Sequence, residues 1–70
     1  MLIMEGIGPR GEELAMAAGA ARDIPVGWDE EFNSATFDAD GMDDSELEGV
    51  IVEELDDYEP EWRSHLKIVD

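Results

Sequence analysis

Ser45-Glu46-Leu47-Glu48-Gly49-Val50-Ile51-Val52-Glu53-Glu54-Leu55-Asp56-Asp57-Tyr58 reads two ways, and the fold depends on the choice. For a helix, Asp43 and Glu46 make a capping box and Pro60 makes a stop. Leu47, Val50, Ile51, Leu55 and Tyr58 then recur at helical spacing. For a strand, the signals are Gly49 and the β-branched triplet Val50-Ile51-Val52. Two charge features weigh against the helix: Glu54 falls inside its apolar stripe, and the acids from Glu53 to Glu59 crowd its negative end. The balance therefore favours a strand over 48–54, with a second helix over 45–58 as the alternative in a mostly α chain.

Trp62, Ser64, Leu66 and Ile68 alternate with Arg63, His65, Lys67 and Val69, a period of two that predicts a strand over 62–69. Strands at 48–54 and 62–69 would pair as a hairpin across an acidic loop. Upstream, residues 10–22 predict a helix. Pro9 suits its first turn, Glu12 and Glu13 favour its positive end, and Asp23-Ile24-Pro25 ends it. Leu14, Ala17, Ala18 and Ala21 should form its buried face. Met1–Met4 fits an edge or buried strand, Trp28 and Phe32 a helical turn, and 33–37 a further strand. The expected fold is α+β: one helix at about 10–22 packed on a small antiparallel sheet with strands near 33–37, 48–54 and 62–69.

Seventy residues are expected to form one small acidic domain, 1–70, with a marginal core. There is no cysteine, so no disulfide or thiolate site stabilises it. Hydrophobic residues make up 43 % of the chain, and Trp28, Phe32, Phe37, Tyr58 and Trp62 are available as core anchors. That composition favours a folded state over a disordered acidic tail. No segment approaches the ~20 apolar residues of a membrane span.

Charge is the dominant chemical signal. Between Asp29 and Glu61 there is no Lys or Arg, and the net charge of the chain is −16. Duplex DNA carries one charge per ~1.7 Å of axis, so the block's carboxylates match roughly 25 Å of duplex. An extended strand also advances ~3.3 Å per residue, close to the ~3.4 Å phosphate step of one DNA strand. Such a surface should attract a basic nucleic-acid-binding protein or complex and should not bind nucleic acid itself. The candidate partner-binding residues are Asp38, Asp40, Asp43, Asp44, Glu46, Glu48, Glu53, Glu54, Asp56, Asp57, Glu59 and Glu61, with Tyr58 as an exposed aromatic anchor. Arg63, His65 and Lys67 are expected to pair with nearby acids.

Other chemistries find little support. In Asp38-Ala39-Asp40-Gly41-Met42-Asp43-Asp44, aligning Gly41 with the glycine of a calcium loop puts Leu47 where a bidentate Glu is required. No metal site is therefore assigned. Gly6-Ile7-Gly8-Pro9-Arg10-Gly11 lacks the lysine of a phosphate loop and the spacing of a dinucleotide fingerprint. No cofactor is assigned, and no Ser/His/Asp or Cys/His set suggests an enzyme.

In size and composition the chain resembles small acidic inhibitors of viruses and mobile elements, the anti-CRISPR and anti-restriction proteins that imitate DNA. The resemblance covers only the charge pattern of residues 29–61 and transfers no residue roles. It implies a cytoplasmic DNA mimic, acting in the host cytoplasm if viral. A small acidic adaptor held by a protein partner, or a halophilic soluble domain, is the alternative. A homodimer is left open.

Overall fold

The computed structural model describes residues 1–69. Its elements are β1 (Leu2–Gly6), α1 (Gly11–Ala21), β2 (Val26–Asp29), β3 (Ser34–Phe37), α2 (Asp44–Tyr58), a 3₁₀ turn (Trp62–Ser64) and β4 (Leu66–Val69). The four strands form one antiparallel sheet in the order β2-β3-β1-β4. This βαββαβ connectivity is the split β-α-β, ferredoxin-like arrangement. The fold is α+β, with helices packed on the sheet as expected.

The stretch that decides the fold is a helix, so the strand expected over 48–54 does not form. Asp43 caps it by accepting a hydrogen bond from the Glu46 N–H at 2.8 Å. Leu47, Ile51 and Leu55, spaced by four, are fully buried, and Val50 and Val52 pack against the same core. Burial of this stripe outweighs the weak strand preference of the β-branched triplet. Glu54 lies half-buried beside the stripe, where Arg22, just past the end of α1, reaches its carboxylate. The residue that argued against a helix is thus paired across the helix–helix contact.

Without a strand at 48–54, the expected hairpin with 62–69 is absent. β4 pairs instead with β1, Met4 opposite Ile68 and Gly6 opposite Leu66. β4 is also shorter than 62–69, because Trp62–Ser64 forms the 3₁₀ turn. The Met1–Met4 run belongs to β1, an interior strand between β3 and β4. Val26–Asp29 is a strand where Trp28 and Phe32 suggested a helical turn. Trp28 packs on the core, whereas Phe32, in the β2–β3 turn, is 68 % exposed. Asp29 holds that turn by accepting from the N–H groups of Glu31 (2.9 Å) and Phe32 (3.3 Å).

The core lies between one sheet face and the two helices. β1 contributes Leu2 and Met4, β3 Ala35 and Phe37, and β4 Leu66, with Trp62 closing the end. α1 buries Gly11, Leu14, Ala15, Ala18 and Gly19, an arc rotated from the expected Leu14/Ala17/Ala18/Ala21 face. Gly19 explains the rotation. A Cβ there would lie 2.1 Å from Val26 Cγ2, so only glycine lets α1 approach β2 this closely. Gly49 has no such role: it is exposed in α2, and an added Cβ would meet nothing within 4 Å. Gly49→Ala should therefore stabilise the protein by about 0.5–1 kcal/mol, visible as a higher melting temperature. A lower melting temperature would contradict the helix assignment at this position.

Candidate functional site: the acidic surface around α2

α2 is about 22 Å long at 1.5 Å per residue. It carries Asp44, Glu46, Glu48, Glu53, Glu54, Asp56 and Asp57, about one carboxylate per 3 Å of axis. That density is close to the ~3.4 Å phosphate step of one DNA strand. The spacing argument made for an extended strand thus passes to a helix. Glu46, Glu53, Asp56 and Asp57 share an outward arc of about 100°, at 3.6 residues per turn. Asp38 and Asp40 precede the helix in an exposed loop, and Glu61 follows it.

The candidate acids divide by what they touch. Asp43 is the helix cap. Asp44 contacts the Met1 amino group. Glu54 pairs closely with Arg22, and Glu53 lies 3.6 Å from the same guanidinium. Asp56 accepts a 2.6 Å hydrogen bond from the indole N–H of buried Trp62. Glu59 accepts from Arg10 at 3.3 Å and from the Glu61 N–H at 3.3 Å. Among the described residues, Asp38, Asp40, Glu46, Glu48, Asp57 and Glu61 have no such side-chain partner. The second group is the stronger candidate contact surface.

Tyr58 is 57 % exposed and lines a small hollow between the helices. Ala17, Ala18, Ala21, Glu54 and Asp57 complete its lining. The alanines missing from the buried face of α1 are therefore found here. Their helical spacing was visible in the sequence, but the facing helix was not.

The cations also sit differently from expectation. Among the described residues, Arg63, His65 and Lys67 make no ion pair within 4 Å, and Arg63 lies over the Trp62 ring at 4.3 Å. The pairing falls to Arg10 and Arg22, at the two ends of α1, which join it to α2. No cluster of three or more potential metal ligands is assembled among the described residues, the 38–44 loop included.

Hydrogen bonding lowers the Glu59 carboxyl below its ordinary value of 4.5, chiefly through the Glu61 N–H and then through Arg10. A lowered folded value means that Glu59 contributes stability above the unfolded value and loses it as pH falls through the folded one. Glu59→Gln should therefore narrow the gap in melting temperature between pH 6 and pH 3, with the two proteins converging at the acid end. Parallel melting curves across that range would show that the ionised Glu59 carboxylate contributes nothing to stability.

The fold class is that of a split β-α-β sheet with two helices on one face. Comparison with family models, with characterised proteins and with solved structures gives no match for this chain. No helix among the described residues is long and apolar enough to cross a membrane.

Proposed function

We propose that this chain is an acidic binding protein that occupies the basic groove of a nucleic-acid-binding protein or complex and excludes DNA or RNA by competition. The observation that carries this reading is the position of Asp57 and Glu61. Both lie at or just past the negative end of α2, whose last turn holds no basic residue. A carboxylate there opposes the helix dipole, at a typical cost of about 0.3–1 kcal/mol at low salt. Neither side chain makes an ion pair or hydrogen bond among the described residues, and Asp57 gains only a longer-range attraction to Arg22. A basic partner gives these charges a purpose.

Three further features support the reading. The carboxylate density along α2 is that of a nucleic-acid strand. Tyr58, beside Asp57, offers an aromatic anchor of the kind that dominates binding energy. The outward positions of the two central strands are Ile3, Glu5, Ser34 and Thr36, neither basic nor aromatic. They offer no platform for stacking bases. In function this is a DNA mimic of the anti-CRISPR or anti-restriction kind, working in the cytoplasm that holds its target.

The test uses the immobilised chain to capture a basic protein at low salt, and then measures whether the free chain releases labelled DNA or RNA from that protein. Release that falls steeply with added salt is expected, because several ion pairs break together. Capture without release of nucleic acid would remove the mimic reading. Binding insensitive to salt but lost in Tyr58→Ala would favour an adaptor.

A further inference from the structure

We propose that the uncovered face of the sheet is a two-fold interface between two copies of this chain, with the axis parallel to the strands and lying between β3 and β1. Both helices cover the opposite face, and the outward side chains form two rows across the sheet. One row reads Asp29, Ser34, Glu5, Lys67 from the β2 edge to the β4 edge. The other reads Gly27, Thr36, Ile3, Val69.

A two-fold axis along the strands places each row over itself in reverse order. Lys67 then faces Asp29 of the second copy at both edges, and Glu5 faces the hydroxyl of Ser34. In the second row Val69 faces Gly27 and Ile3 faces Thr36, so each larger side chain meets a smaller one. Aligned sheets cross at about 30°, which makes the facing approximate but keeps the order. The two rows are thus self-complementary in charge and in volume, as an isologous contact requires.

Charge favours the same occupant. The eight outward residues carry Glu5, Asp29 and Lys67, a net charge of −1, on a chain of −16. Face-to-face association therefore turns both acidic helix layers outward and keeps them apart. A large basic partner would have little to hold on this side.

Area sets the strength. One five-residue and three four-residue strands, ~4.8 Å apart, present roughly 280 Å² per copy. Phe32, 68 % exposed, borders this face with Ile3, Thr36 and Val69 and adds about 140 Å². The total for two copies, roughly 800 Å², lies below that of a standard specific interface and suits a weak, concentration-dependent dimer. The arrangement is independent of the acidic reading, since it uses the opposite side of the molecule.

Sedimentation equilibrium of the full chain at physiological salt, up to about 1 mM, tests it. A reversible dimer is expected. Gly27→Leu should raise its dissociation constant at least tenfold, about 1.4 kcal/mol of binding, by filling the place of Val69. The monomer should fold normally, because nothing lies within 4 Å of the new Cβ. Lys67→Glu should weaken the dimer similarly, and its circular dichroism reports whether the fold survives. Combining Gly27→Val with Val69→Gly exchanges large and small sides and should restore dimerisation relative to Gly27→Leu. A chain that stays monomeric at 1 mM, or a dimer unaffected by both Gly27→Leu and Lys67→Glu, would overturn the proposal.

Discussion

Trp62→Ala should destabilise the protein by about 3–5 kcal/mol and leave it largely unfolded at room temperature. Trp62 is fully buried and has the largest side chain in the core. It sits in the 3₁₀ turn joining α2 to β4, so the cavity would open where the helix layer meets the sheet edge. A domain of this size has only a few kcal/mol to spare, so a loss of 3 kcal/mol already lowers the melting temperature by roughly 12–24 °C. Trp62→Phe separates packing from hydrogen bonding. It retains an aromatic ring but removes the N–H donated to Asp56. Asp56 is exposed and can turn to water, so this variant should lose only about 1–2 kcal/mol beyond the change in volume. Thermal melts followed by circular dichroism decide the matter. A Trp62→Ala protein melting within a few degrees of the parent would mean that the core does not depend on this corner.

Replacing Glu46, Asp57 and Glu61 with Lys should abolish displacement of nucleic acid from a captured basic protein while leaving the fold intact. The choice of residues follows from the contacts. Reversing Asp43, Asp56 or Glu59 would remove a helix cap, a partner of Trp62 or the partner of Arg10, and a failure could then be blamed on the fold. The side chains of Glu46, Asp57 and Glu61 are exposed and engage none of these groups; only the backbone N–H groups of Glu46 and Glu61, which Lys retains, meet Asp43 and Glu59. Reversal at Asp57 and Glu61 relieves the dipole, whereas reversal at Glu46 in the first turn opposes it, so the melting temperature should stay within a few degrees of the parent. The matched control is Glu12, Glu30 and Glu31 replaced by Lys, which changes the net charge equally at exposed positions outside α2. A positioned acidic surface predicts at least a hundredfold loss for the first set, about 2.7 kcal/mol, and a small loss for the second. Equal effects of the two sets would reduce the acidity to a general property of the surface, as a halophilic protein would show.

The hydrophobic pattern and the turn chemistry were legible in the sequence. Pro9, the Glu12/Glu13 pair and Ile24-Pro25 bound α1 within a residue or two, because helix ends are set by local backbone groups. The alternation of Leu66, Lys67 and Ile68 marked β4 for the same local reason. Phe37 and Trp62 lie in the core as their side chains suggest, whereas Tyr58, which the sequence offers both as a core anchor and as an exposed one, lies outside it. The acidic block was legible too, since charge needs no fold to be counted.

Only tertiary contact decided the stretch from Ser45 to Tyr58. Its local signals are nearly balanced, and Glu54 inside the apolar stripe, with the acids crowding the negative end, favours a strand. Arg22, thirty-two residues away, reaches Glu54 across the helix pair and removes that objection. The exposure of Phe32 had the same kind of cause: its side depends on the Asp29 turn and on β2 joining the sheet, neither of which is encoded in spacing. The division of the acids into those the fold uses and those it leaves free was likewise invisible, because it depends on where Arg10, Arg22 and the Trp62 N–H arrive. Periodicity and charge act along the chain, so residue order reveals them. Pairing acts between segments brought together by burial, so only the folded arrangement determines it.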